Sequence, residues 1–191
     1  DPQKLLVSLL EGNFAGLAAS PGPRPIQWSL VRDAAVDLPV QFGAVRVSNP
    51  LAEHSALRSL CSQSEGEREV AHRAIRDAIA CAQTIGSNTV VIDLGVVGVT
   101  GDIEAEDLGE RNYEWTHERA HALLARRKVA RNAFVDRACR ELFSVIKSFP
   151  TIHFCVVQGR SLRSVLDLDA MRDIVEDLSG RRLGYWHDAA I

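Results

Sequence analysis

SEGEREVAHRAIRDAIACAQTIGSNTVVIDLG, residues 64–95, holds a helix, its stop signal and a buried strand in one unbroken run. Ser64 and Glu67 have the spacing of a capping box, and Val70, Ala74, Ile75, Ala78, Ile79, Ala82 and Ile85 recur along one helical face. Gly86 is the residue type that closes a helix in the left-handed conformation. Thr89-Val90-Val91-Ile92-Asp93-Leu94-Gly95 then runs without polar alternation until Asp93, the pattern of a strand covered on both faces. A helix feeding such a strand predicts a parallel sheet.

The same grammar recurs on both sides. Downstream, Phe134, Ala138, Leu142, Val145, Ile146 and Phe149 stripe a helix that Pro150 ends, and Ile152-His153-Phe154-Cys155-Val156-Val157 follows as a strand. Asp167 then caps a helix carrying Met171, Ile174, Val175 and Leu178, Gly180 closes it, and Leu183-Gly184-Tyr185-Trp186 begins another strand. Upstream, Leu5, Leu6, Leu9 and Leu10 before Gly12 predict a helix leading to a strand near residues 14–19. Residues 27–38 predict a second helix, leading to a strand at Ala44-Val45-Arg46-Val47-Ser48.

These are five helix-then-strand units with no hairpin signal between them, so the sheet is either doubly wound or closed as a (β/α)8 barrel. No GxGxxG follows any strand and no GxxxxGK[ST] occurs, which removes the signatures of the nucleotide-binding doubly wound folds. A TIM barrel of class α/β is therefore expected. Asp1-Pro2 reads as an N-cap and first helical residue, and residues 183–191 read as a strand with no helix after it. Residues 1–191 are expected to be a single, incomplete barrel domain from the interior of a longer protein, with residues 96–127 a polar excursion on the C-terminal rim.

Composition sets outer bounds. Of 191 residues, 46% are hydrophobic and 25% charged, with a net charge of −3 that offers no general attraction to nucleic acid or an anionic membrane. Arg126-Arg127-Lys128 with Arg131 reads as a solvated face, diluted by Glu118 and Asp136. Cys61, Cys81, Cys139 and Cys155 lack metal-type spacing and read as small buried hydrophobes in a reducing, cytoplasmic compartment. No apolar run reaches the 18 residues of a membrane span.

The register of Ala78-Ile79-Ala80-Cys81-Ala82-Gln83-Thr84-Ile85-Gly86-Ser87-Asn88-Thr89-Val90-Val91-Ile92, together with Leu183-Gly184-Tyr185-Trp186-His187-Asp188, resembles the xylose isomerase-like TIM-barrel superfamily. That group includes sugar phosphate isomerases and epimerases and the AP endonuclease family 2 proteins. The resemblance runs from about residue 40 to the end and implies that the chain holds barrel strands two to six, without strands one, seven and eight. It implies a divalent metal, Mn²⁺, Mg²⁺ or Zn²⁺, held by a histidine, a glutamate and a DxxH motif, and a small sugar-like ligand. Here Asp93 stands at the histidine position, Gln158 at the glutamate and Ile191 at the second DxxH ligand, with only Asp188 matching. The implied metal site, of Asp188 and Asp93, is degenerate.

Asp188 and Gln158 are thus the candidate catalytic residues, and Arg46, Asp93, Arg160 and His187 the candidate ligand-binding ones. Asp93 interrupts an apolar strand, which requires either a place on the strand's C-terminal rim or an Arg partner on a neighbouring strand. Of the adjacent His187 and Asp188, only one faces the barrel interior, and the family register makes it Asp188. Tyr185 and Trp186 read first as packing against helices. An alternative is a binding or scaffold barrel without catalysis. A third comes from His117-Glu118-Arg119-Ala120-His121, which matches HExxH and would place two zinc-binding imidazoles on one helical face, with Glu141 a conceivable third ligand.

Overall fold

A computed structural model describes residues 2–14, 16–21, 27–47, 59–98, 118–158, 163–178 and 180–187. Its elements alternate: α1 (Pro2–Glu11), β1 (Gly16–Ala19), α2 (Trp28–Ala34), β2 (Gln41–Arg46), α3 (Glu65–Ile85), β3 (Thr89–Asp93), α4 (Glu118–Ser148), β4 (His153–Val157), α5 (Leu168–Asp177) and β5 (Leu183–Trp186). All neighbouring strands pair in parallel and lie in the order β1-β2-β3-β4-β5. That order separates the two folds left open by the sequence. A doubly wound sheet reverses direction partway, whereas right-handed crossovers taken always in one direction put every helix on one face, as in a barrel wall. The sheet is an incomplete TIM barrel.

The strand residues sort by alternation into two layers. Ala19, Val45, Val90, Ile92, Phe154 and Val156 pack outward into the main core with Ile75, Ala78, Ala82, Leu142, Val145 and Ile174 of the helices. Ala44, Val91, Cys155 and Val157 form a second, smaller cluster on the inward face, joined by Trp186. Trp186 therefore does not pack against the helices as its aromatic character suggested. It shares a parity with Gly184 and faces the interior.

Most element boundaries follow local chemistry, with three differences. Gly86 ends α3 at φ 77°, as expected, but Ser64 makes no side-chain cap. Glu67 is instead bonded to Ser62 Oγ, which also accepts from the Ser64 N–H at 3.1 Å. Secondly, β2 begins at Gln41 rather than Ala44 and ends at Arg46. Thirdly, α4 starts at Glu118, so residues 118–127 of the expected loop excursion are helical.

The basic run of α4 is engaged with the start of α5. Arg127 is only 7% exposed, and it donates through Nε to Ser164 O at 2.8 Å and through a terminal nitrogen to Asp167 at 3.1 Å. Arg131 meets both oxygens of Asp167 at 2.7 and 2.6 Å. Asp167 in turn caps α5, accepting from the Ala170 N–H at 2.8 Å. These arginines are not a solvated face; they clamp α4 to the start of α5.

Burial raises the Asp167 carboxyl, but the Ala170 N–H and the two arginines outweigh it and hold it below the ordinary value. A carboxylate depressed in the folded state contributes stability that is present above its unfolded pKa, about 4, and is lost as pH falls through the folded one. Asp167→Asn is expected to lower the denaturation midpoint at pH 7. The difference from the parent chain should shrink on titration below about pH 4, as read by denaturant melts across pH. A gap that stayed constant with pH would assign the residue's effect to the cap alone.

Candidate functional site

The inward face at the C-terminal end of the strands carries the polar residues. Val91 is inward and buried, so Asp93, two residues on and last in β3, has the same parity. Ala44 and Arg46 stand in the same relation at the end of β2. Arg46 pairs in register with Val91, and its charge acts on the Asp93 carboxylate. Across the sheet, Asp93 is level with Val157, and Val157 with Trp186. At about 4.8 Å per strand, a carboxylate and an indole thus stand on inward strand ends about 10 Å apart, with a valine between them.

Asp93 is held by its own turn. Its Oδ1 accepts the Gly95 N–H at 2.8 Å, and Gly95 adopts φ 98°, a left-handed conformation that a side chain disfavours. A Cβ at Gly95 would collide with the side chain of Ser59, which packs beside it with the Cys61 thiol. The carboxylate itself is exposed at the rim while the strands crowd it from below. That desolvation raises its pKa above the ordinary carboxylate value, against the Gly95 N–H and Arg46, which lower it, and its contact with water limits the rise.

The remaining expected residues fall in different places. His187 is exposed, and its ring lies 6.3 Å from that of Tyr185, which has the outward parity. Gln158 is half-buried and directly follows β4, with the parity of outward Phe154 and Val156 rather than of Cys155 and Val157. Asp188, Arg160, His117 and Ile191 lie outside the described residues. His153 sits at the opposite, N-terminal end of β4, where a Cβ on Gly184 would press on its ring at 3.1 Å.

The HExxH reading loses its third ligand. Glu118 and His121 are exposed at the start of a continuous α4, and Glu141 lies twenty residues further along it, about 30 Å away at 1.5 Å per residue. Glu141 is also engaged elsewhere, with Arg68 at 3.0 Å and His72 at 2.8 Å on α3. Cys61 is buried beside the Gly95 turn. Burial pushes its thiol up to about 11, despite the hydrogen bond to Ser59.

A divalent cation at the rim would need several anionic or imidazole donors converging on one point. Among the described residues no group of three or more His, Cys, Asp or Glu is so placed. Asp93 has one oxygen occupied by Gly95 and a guanidinium charge beside it, and Gln158 is a neutral amide. Of the two expected ligands, Asp93 lies among the described residues and Asp188 outside them, so the described rim supplies one of the expected carboxylates toward a metal.

Sequence reasoning missed Trp186 and Gly184 as inward residues, although the alternation that placed Asp188 inward applies equally two and four residues earlier. It also missed Arg127, whose partners lie about forty residues away.

No family model and no curated protein matches the sequence. Among solved structures, the chain is similar to a D-tagatose 3-epimerase-like protein, with a TM-score of 0.62 and 18% identity over 94% of this chain and 58% of that one. It is also similar to a xylose isomerase domain protein from Planctomyces limnophilus, with a TM-score of 0.54 and 10% identity over 94% of this chain and 56% of the other. It spans little more than half the length of either.

The Gly95 turn sets a measurable expectation. Gly95→Ala is expected to cost about 2 kcal/mol or more, from a left-handed backbone and a collision together. Gly86→Ala, at φ 77° with open space around it, is expected to cost about 1 kcal/mol. Denaturant midpoints of the two variants check the order, and equal losses would remove the claim that Ser59 fixes this turn. The parallel order of the strands and the structural likeness together give the chain the fold of an incomplete TIM barrel.

Proposed function

We propose that the chain is the greater part of a sugar isomerase/epimerase-like barrel that binds a sugar or polyol at the C-terminal rim of its strands, with the family's metal site degenerate. The observation that supports this most is the juxtaposition of Arg46 and Asp93 with Val157 and Trp186 on one inward face. A carboxylate and a guanidinium exchange hydrogen bonds with hydroxyls, while an indole face covers the C–H side of a sugar. The likeness to a D-tagatose 3-epimerase-like protein and a xylose isomerase domain protein makes sugars the first ligands to test.

In this reading Asp93 is the acid/base group, its elevated pKa bringing it closer to a working pH. It takes a proton from a carbon next to a carbonyl. Arg46 then steadies the oxygen on which negative charge develops, and Asp188 supplies a second carboxylate. Arg160 and His187 border the ligand rather than react with it. The partner is a small molecule, met in a reducing cytoplasmic setting, and neither nucleic acid nor a membrane. No helix among the described residues is long and apolar enough to cross a membrane. Gln158 favours a second reading, a binding barrel without catalysis, because a neutral amide accepts no proton at ordinary pH.

Calorimetry with D-tagatose and D-xylose, paired with NMR detection of solvent deuterium entering the carbon beside the carbonyl, separates the readings. Saturable binding is expected, weakened about tenfold or more by Asp93→Asn, the loss of one charged hydrogen bond. Deuterium incorporation should fall as pH drops through an apparent pKa above about 4. Binding without incorporation would select the non-catalytic barrel, and no binding to either sugar would sink both.

A further inference from the structure

A continuous run of hydrogen bonds leads from the buried guanidinium of Arg127 to the Asp93 carboxylate. Arg127 Nε donates to Ser164 O at 2.8 Å. The other side of that same peptide unit, the Val165 N–H, donates to Gly95 O at 2.8 Å. Gly95 then donates its own N–H to Asp93 Oδ1, again at 2.8 Å. Two features keep this path in register. The segments after β3 and β4 form an antiparallel bridge between Val96 and Ser164, with the Val97 N–H donating to Arg163 O at 2.8 Å. Ser59 and Cys61 close the far side of Gly95, and the Cys61 thiol donates to Val96 O at 3.4 Å.

We infer that Arg127 is a positioning residue for Asp93: by fixing the Ser164–Val165 peptide it sets where Gly95 stands, and thereby where the carboxylate at the rim is held. The inference rests on the reading of Asp93 as a site residue but is tested without any ligand. A charged donor on the carbonyl of a peptide polarises it and strengthens the bond its N–H makes, so the step through Ser164–Val165 is cooperative; beyond Gly95 O, whose peptide is not the one that carries the Gly95 N–H, the path is geometric. Arg131 provides the internal control. It grips Asp167 at 2.6 and 2.7 Å, whereas Arg127 Nε is the donor to Ser164 O, so the two share the stabilising clamp but differ at the first bond of the path.

The test is amide hydrogen exchange and amide proton shift at Val165 and Gly95, read by NMR in the parent chain, Arg127→Ala, Arg127→Lys and Arg131→Ala. Arg127→Ala is expected to speed exchange at both amides about tenfold and to move the Gly95 proton upfield, the response to one loosened hydrogen bond. Arg131→Ala should lower global stability while leaving the two amides within about twofold of the parent, because its bonds lie off the path. Arg127→Lys retains a donor for Ser164 and should restore the Gly95 shift at least in part. If Arg127→Ala does not fold, the lysine variant against Arg131→Ala carries the comparison. Unchanged Gly95 in both Arg127 variants, or an equal change in Arg131→Ala, would overturn the inference. Sugar binding plays no part in the readout, so a failure of the proposed function leaves this result intact.

Discussion

The structure depends on a constraint of chirality: parallel strands in the order β1-β2-β3-β4-β5, joined by crossovers that follow the general right-handed rule, step always in the same direction along the sheet. The consequence is a division of labour between the two faces. All the helices gather on one side, and large side chains such as Phe154 and Ile92 fill the space beneath them. The other side is lined by Ala44, Val91, Cys155 and Gly184, small enough for a curving sheet to turn its concave face inward, with His153 and Trp186 among the bulkier residues of the same parity. Chemistry then has one place to go. A residue at a strand end with inward parity meets its counterparts on neighbouring strands, as Arg46 and Asp93 do.

Helix and strand periods were legible because each reflects burial that adjacent residues share. The stripe of α3 shows how far that goes: Ile75, Ala78, Ile79, Ala82 and Ile85 are buried as their spacing requires, while Val70 is 37% exposed and Ala71 takes its place inside. The capping box failed for a related reason. Ser64 and Glu67 have the right separation, but Ser62, held close by the turn before the helix, competes for Glu67 and wins. Local spacing names the groups able to bond. It does not rank them against partners supplied by the chain just outside the motif.

The start of α4 was hidden by a polar residue at a core position. Leu123, Arg127, Phe134 and Ala138 are all buried along this helix, yet only an apolar residue at 127 would have extended the visible stripe toward the N-terminus. Its partners, Ser164 and Asp167, follow a later strand, so nothing near Arg127 in sequence marks it as interior. The candidate site was legible to the same degree. Asp93 is a carboxylate inside an apolar strand and drew notice at once; it is the last residue of β3, and the charge of Arg46 acts on it. Trp186 was masked by the opposite effect: an aromatic residue is such an ordinary core component that its parity was outweighed by its type.

Arg127 shows how stability and site geometry become one problem in this fold. Burying a guanidinium is costly, and an apolar side chain of similar volume would often serve the packing of α4 at least as well. What an apolar residue cannot do is orient a peptide plane. The Ser164–Val165 peptide lies between α4 and the turn that follows β3, where only a directional bond fixes its rotation, and that rotation decides whether Val165 points its N–H at Gly95. Hydrophobic contact sets how near α4 lies to the sheet; the arginine sets the angle at which the rim segments meet. Asp93 has the Arg46 charge beside it and the Gly95 N–H on one oxygen, and through that turn part of its placement comes from a charge on a helix of the opposite layer.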